Sequence, residues 1–546
     1  MATNTANSAQ DWASLIQQKQ ADRESRIPNE WRLPQTIISR VDRDAPVSGF
    51  DLFNETAILT EKERYITEAY DATGLLEQLS SGSLTSLEVT TAFCKRAAVA
   101  HQLINPLTEV FFDVALKRAR ECDAFMASNG KPMGRFHGLP ISLKDMFMVK
   151  GQCATIGFVS YLNKPTADYN SAIVDILYNE GAVFYCKTTV PQGLFTLDSE
   201  NRIFGRASNP QRLDLTAGGS SSGEGALVAF RGSPLGIGTD IGGSIRCPSF
   251  LNGCYGFKPT SGRLPYAGQQ YHFPEGWPGV APAVGPHANS ARDLTTLCRK
   301  VIQAGAWEKD HTVSYKPWRD VPRKQKLRVG MWSGYDEVAP RHPTIKRTLD
   351  TAANSLRAAG HDVIDVASPE LSSFEAVIGT YTTSISLDAD NTIVNAVLAG
   401  QEEMLPSFEA VLSLTKDLSV PTLASVWAVN AQKGRIAAAW HNILRQVDVL
   451  LCPAYHSPGI RHGPHGVPAE AMVWNLIDCP ATVIPFLKGD DTIDKSNDDY
   501  ESFHGISSHI QVVGWTGQDE EVLMATELIS DVFHQYESQS TVKPLL

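Results

Sequence analysis

Three short stretches carry residues that could do chemistry together. Lys144 is the penultimate residue of "GLPISLKD", Ser220 and Ser221 sit in "TAGGSSSGEGALVAF", and Ser244 follows paired glycines in "GTDIGGSIRCPS". A lysine at the end of an apolar strand loses the solvation of its charge. Its pKa then falls toward that of a usable general base. Consecutive glycines before a serine let several main-chain N–H groups converge on one point, the arrangement that stabilises an oxyanion. A hydroxyl at the end of such a nest is placed to attack a carbonyl carbon. Each stretch alone also fits something plainer: a lysine snorkelling to solvent, a Gly/Ser spacer and a tight strand-to-helix turn. The spacer reading suffers because the serine run passes straight into apolar sequence, with Glu224 the only charge between Asp214 and Arg231.

Other motif readings are weaker. Gly236, Gly238, Gly242 and Gly243 do not form G-x-G-x-x-G, and no G-K-[ST] follows. Gly219, Ser221 and Gly223 do match G-x-S-x-G, a nucleophile elbow with Ser221 attacking. That elbow needs a preceding strand, for which "SNPQRLDLT" is a poor candidate, and a histidine partner. His462, His465 and His504 lie in loop-like surroundings. The first two, in "RHGPHG", also raise a metal site, but without nearby cysteines or an H-E-x-x-H helix.

The elements that must position these residues read as an α/β protein. The 546 residues are 42% hydrophobic and 20% charged, the balance of an ordinary globular chain. A net charge of −12 without a basic stripe argues against nucleic acid as partner. The nine cysteines (Cys94, Cys122, Cys153, Cys186, Cys247, Cys254, Cys298, Cys452 and Cys479) are scattered, with no C-x-x-C, which fits a reducing compartment. The polar N-terminus has no signal-peptide pattern, no segment is apolar enough to span a membrane, and "TVKPLL" carries no prenylation or peroxisomal address. These readings predict a cytoplasmic protein without stable membrane insertion. Residues 1–65 read as an appended helical arm and 366–446 as a helical, cap-like insertion. Thr85 and Glu88 have capping-box spacing ahead of a helix, and a second helix covers Val114 to Met126. "GLPISLKD", "AVFYCKTT", "LRVGMWS" and "HDVIDV" read as strands, with a helix from Thr344 to Ala359 between the last two, and 258–290 reads as loop.

Taken together, the three stretches resemble the amidase signature family, and the fungal acetamidase branch in particular. "GLPISLKD" is similar to the family's lysine motif, "GGSSSGEGA" to its Gly/Ser signature, and "GTDIGGSIRCPS" with "GCYGFKPTSGRLP" to its nucleophile segment. "VFYCKTTVPQ", "AVGPHANSARDL" and the "IPNEWRLP" arm add to the likeness, which runs from about residue 70 to the C-terminus, 66–546 being the expected domain. The resemblance implies a mixed central β-sheet sandwiched by helices and a Ser–Ser–Lys triad. In it Ser244 is the nucleophile, Ser220 (after a cis peptide) the proton relay and Lys144 the neutral base. It further implies an oxyanion site from the N–H groups of Ile241, Gly242, Gly243 and Ser244, support from Ser221 and Thr239, and loop anchoring by Asp240 and Arg246. No metal or organic cofactor is implied. In one respect this sequence departs from the common GGSSGG pattern: Ser222 stands where a glycine is usual.

The implied reaction is hydrolysis of small aliphatic or aryl primary amides such as acetamide to acid and ammonia. By the same analogy Leu194 and Phe195 line the acyl pocket, with Trp474 and Ile477 on another wall. Three alternatives share the fold: a fatty acid amide hydrolase-like enzyme for larger amides, an ammonia-releasing amidotransferase subunit, and a catalytically silent binding protein. A homodimer is compatible with all of them.

Overall fold

Eleven strands hydrogen-bond into one mixed sheet in the computed structural model of the protein, which describes residues 11–415, 420–494 and 500–541. The first ten residues of the arm, 416–419 of the expected insertion, and the closing 542–546, where address motifs were sought, lie outside the described residues. In chain order the strands are β1 (Leu107–Val110), β2 (Pro140–Lys144), β3 (Val183–Thr188), β4 (Leu235–Asp240), β5 (Tyr255–Lys258) and β6 (Ala283–Ala288). They continue with β7 (Arg328–Trp332), β8 (Asp362–Val366), β9 (Val449–Cys452), β10 (Ala481–Lys488) and β11 (Ser507–Val513).

Across the sheet the order is β1-β3-β2-β4-β6-β5-β10-β11-β9-β7-β8. β2 runs parallel to β3 and β4, and β7 parallel to β8 and β9; the strands between are antiparallel. Every residue of β2, β3 and β4 is buried, as expected for strands covered on both faces. Helices Phe112–Asn129, Ala291–Gln303 and Asp519–Thr541 pack on β3, β6 and β10.

The local signals act as the sequence predicts. Thr85 Oγ1 accepts the Glu88 N–H at 3.1 Å, and the Glu88 carboxylate accepts the Thr85 N–H at 3.0 Å, opening helix Ser86–Ile104. One expectation needs correction. The stretch 258–290 is not all loop, since Ala283–Ala288 forms β6 in the middle of the sheet, paired to β4 and β5. Gly285 and Pro286 hide it, because both residue types are depleted in central strands.

Residues of the arm reach the interior. Helix Trp12–Ser25 sends Lys19 to the buried Glu109 carboxylate of β1 at 2.5 Å, and Arg23 Nη1 donates to Leu107 O at 2.8 Å. Buried Lys187 lies 3.6 Å from Asp145, the residue after Lys144. Removing one member of a buried pair strands the other charge at a cost of about 3–5 kcal/mol. Lys19→Met is therefore expected to lower the denaturation midpoint clearly, and Lys19→Met with Glu109→Gln to recover most of the loss. An unchanged midpoint in the single variant would detach the arm from the core's stability.

Between β8 and β9 lie helices Phe374–Ile385, Thr392–Ala399, Pro406–Ser413 and Leu423–Leu444. This region is fastened beside Leu194: Gln192 Nε2 donates to Glu402 at 3.0 Å, and Gln192 Oε1 accepts the Leu405 N–H at 2.8 Å.

Candidate active site

β2 ends at Lys144 because Asp145 is captured on all sides. Its carboxylate accepts Thr108 Oγ1 at 2.7 Å, Thr155 Oγ1 at 3.1 Å and the Ile156 N–H at 2.7 Å, while its own N–H donates to Thr188 O at 3.0 Å. The Lys144 side chain is held inside the fold, 1% exposed. Its Nζ donates to Ser220 Oγ at 2.9 Å and to Thr239 Oγ1, on neighbouring β4, at 2.8 Å. Burial brings the amine down to a pKa of about 7, against the charges of Asp240 and Glu224.

Ser220 sits on the loop between a short strand, Arg212–Thr216, and helix Ser222–Ala229. The Gly219–Ser220 peptide is cis. Gly219 is required sterically: a Cβ there would come within 2.0 Å of Thr196 O. Ser222, the departure from the usual glycine, lies within the helix at ordinary negative φ, so a glycine's freedom is not needed there. Ser221 Oγ is engaged with the Thr239 main chain, donating to its O at 3.3 Å, and the Ser221 N–H donates to Ser244 O at 3.1 Å. It ties the serine loop to β4 and to the Ser244 loop.

The loop after β4 is shaped by Asp240. Its carboxylate accepts the N–H of Gly243 at 2.8 Å and of Ile245 at 3.1 Å, two bonds from the Arg246 guanidinium at 3.0 Å each, and Asn475 Nδ2 at 2.8 Å. Burial pushes this carboxyl up, but Arg246 prevails and holds it well below the usual range. Arg246 also donates to Ala471 O, Gln511 and Asn475. The Gly243 N–H is thus committed to Asp240. Among the described residues, the N–H groups of Ile241, Gly242 and Ser244 have no such bond outside regular strand pairing. Tyr381 donates to Ile241 O at 3.1 Å and closes over Gly242, where a Cβ would lie 2.2 Å from its hydroxyl.

Ser244 borders two spaces. On one side it shares a chamber with Lys144, Ser220, Thr239, Leu194 and Ile241. On the other it opens to a cavity lined by Leu194, Phe195, Tyr381, Val411, His465 and Met472. Beyond Phe195 and Val411 lies a further lobe of about 200 Å³ walled by Phe273, Ile385, Phe408 and Leu412. The Ser244 and Ser220 hydroxyls are not hydrogen-bonded to each other. Catalytic bonds commonly tighten only once substrate is bound.

Several sequence readings fall elsewhere. Trp474 and Ile477 do not face the cavity; they pack in the core with Trp332 and Trp440, and Val467, Pro468 and Met472 supply that wall. A strand does precede the serine loop, contrary to expectation, but Arg212–Thr216 lies outside the central sheet, pairing with 208–209 in a separate ladder and bridging to Arg461 through Leu215. None of the three histidines considered for the elbow bonds Ser221: His462 Nδ1 is 2.8 Å from Asp198, His504 accepts the Asp491 N–H, and His465 lines the cavity on the Ser244 side. No group of three or more His, Cys, Asp or Glu is arranged to hold a metal ion among the described residues.

Sequence reasoning passed over Glu224. It is fully buried below the site, accepting Ser142 Oγ at 2.6 Å and Thr188 Oγ1 at 2.7 Å, and burial raises its pKa to about 8. Its isolation as the lone charge in an apolar run was the available signal. Tyr381 and Phe408, from the helices before β9, gave none.

Comparison with known proteins identifies the family and the fold. The family model described as Amidase matches residues 88–523. The chain is 45% identical to an amidase of Gibberella moniliformis, over 95% of this chain and 98% of that protein. It is 35% identical to an acetamidase of Emericella nidulans, over 95% and 97% respectively. Among solved structures, a fatty acid amide hydrolase superposes with a TM-score of 0.87 at 29% identity, covering 96% of this chain and 95% of that one. The chain belongs to the amidase family and has its fold, a large mixed sheet flanked by helices. It is an amide hydrolase. Among the described residues no helix is long and apolar enough to cross a membrane.

Proposed function

We propose that the chain hydrolyses primary carboxylic amides through an acyl-ester on Ser244. The observation that carries this reading is the buried Lys144 amine, hydrogen-bonded to Ser220 in the chamber that Ser244 lines. Lys144, uncharged, draws a proton from Ser244 through the Ser220 hydroxyl. Ser244 Oγ attacks the carbonyl carbon, and the N–H groups of Ile241, Gly242 and Ser244 take up the oxyanion charge. Gly243 is left out of this set because its N–H already serves Asp240. The C–N bond breaks as the relay returns the proton to nitrogen, and ammonia leaves. Water then cleaves the ester, releasing the acid and restoring the Ser244 hydroxyl.

The acetamidase relative favours small aliphatic or aryl acyl groups. The second lobe, where aromatic and aliphatic walls adjoin Asp388 and Asn391, favours larger ones, as does the likeness to a fatty acid amide hydrolase. Ammonia release by the purified chain from acetamide, benzamide and a long-chain primary amide separates the two. Higher kcat/KM on the short amides supports the first reading, the reverse order the second, and no release from any removes both. The nine unpaired cysteines support a cytoplasmic location.

The pH profile follows from Lys144. The active form is the neutral amine, so kcat/KM rises tenfold per pH unit well below about 7 and levels off above it. A flat profile from pH 5 to 8 would remove Lys144 as base.

A further inference from the structure

The chamber on the Lys144 side of Ser244 has a volume of about 20 Å³, and its other walls include Met146, Tyr271 and His272. A space of roughly 10–15 Å³ by this measure holds one water, so the chamber takes one water-sized molecule and little more. His272 is 6% exposed, and neither ring nitrogen has a hydrogen-bond partner among the described residues. Its ring is fixed by aromatic neighbours, with Phe273 at 4.5 Å and Phe195 at 5.8 Å between centroids. Burial, helped by the nearby Lys144, lowers its pKa to about 3, so the imidazole is neutral and offers one donor and one acceptor. A buried polar ring without a partner is costly, and such groups in native folds call for a bound molecule or a role.

We propose that this chamber is a binding site for one small molecule that both donates and accepts hydrogen bonds. That molecule is the water that hydrolyses the Ser244 ester, and His272 orients it. The inference rests on the acyl-ester reading above. In the step, a water hydrogen bonds to the free nitrogen of His272 and its oxygen attacks the ester carbon. The C–Oγ bond breaks, and the water's proton passes through Ser220 and Lys144 to Ser244 Oγ. Because acylation and deacylation cross mirror-image transition states, water enters where the amine left. The leaving group must therefore fit the same chamber, which restricts the enzyme to amides that release ammonia and disfavours N-substituted ones.

The test is rapid-quench kinetics on benzamide with wild type, His272→Leu and His272→Asn, following ammonia and benzoate separately. Wild type should turn over N-methylbenzamide far more slowly than benzamide. In His272→Leu, steady-state kcat should fall about tenfold or more, the loss of one oriented hydrogen bond. A burst of ammonia should appear, with the acylation rate kept within about threefold, because the leaving nitrogen is already held by its bond to the substrate whereas the free water depends on His272 for its position. His272→Asn should recover part of kcat. Unchanged kcat, or equal loss of acylation and deacylation without a burst, would overturn the role of His272. Equal rates on benzamide and N-methylbenzamide would overturn the size limit. Amide turnover surviving in Ser244→Ala would instead remove the underlying acyl-ester reading.

Discussion

Ser244→Ala will lower amide turnover by on the order of 10⁴-fold or more, while unfolding stays near that of wild type. The expected size follows from losing the atom that forms the covalent bond. The neighbouring hydroxyls are engaged elsewhere, Ser221 Oγ with the Thr239 main chain and Ser220 Oγ with the Lys144 amine. Stability should hold because Ser244 Oγ makes no side-chain hydrogen bond among the described residues. Lys144→Met should be comparably inactive. Methionine fills a similar volume and takes a buried amine out of the core, and such exchanges are often neutral or better for stability. Steady-state ammonia release measures both. Residual activity within tenfold of wild type in either variant would end the assignment.

Arg246→Ala should cost about 3–5 kcal/mol of stability, enough to threaten folding altogether. Arg246 is fully buried, and its five donors reach Asp240, Ala471 O, Gln511 and Asn475. Removing it leaves the Asp240 carboxylate buried without its counter-charge. Asp240 also holds the Gly243 and Ile245 N–H groups, so the oxyanion loop should loosen and any folded protein should be far less active. Arg246→Lys should recover little, because an ammonium cannot reproduce the planar fork. Urea midpoints and soluble yield measure the effect. A midpoint within about 1 kcal/mol of wild type would refute the anchoring role.

Local signals in the sequence sufficed where chemistry and chain proximity coincide. Lys144 at the end of an apolar strand and Ser244 after paired glycines could be placed from their neighbours. So could the Thr85–Glu88 cap and the strands around Lys144 and Arg328, whereas the anchoring by Asp240 and Arg246 came only through the family resemblance. What failed depended on distant packing. An apolar run such as "MVWNLI" gives the same pattern whether it faces a cavity or a core, so Trp474 was misplaced while Met472 lines the cavity. The Arg246 partners Asn475 and Gln511 lie more than two hundred residues away in sequence. The strand Ala283–Ala288 was concealed by its own Gly285 and Pro286. His272 stood in a stretch that reads only as loop, and its unpartnered ring appears only once the chamber is assembled.

The central claim is that one hydroxyl, activated by a buried amine, becomes acylated. Acid-quenching the enzyme during benzamide turnover and mapping its peptides by mass spectrometry tests this directly. The account predicts a benzoyl mass on the peptide segment holding Ser244, absent from Ser244→Ala. A benzoyl group on Ser220, Ser221 or Lys144, with Ser244 unmodified, would contradict it.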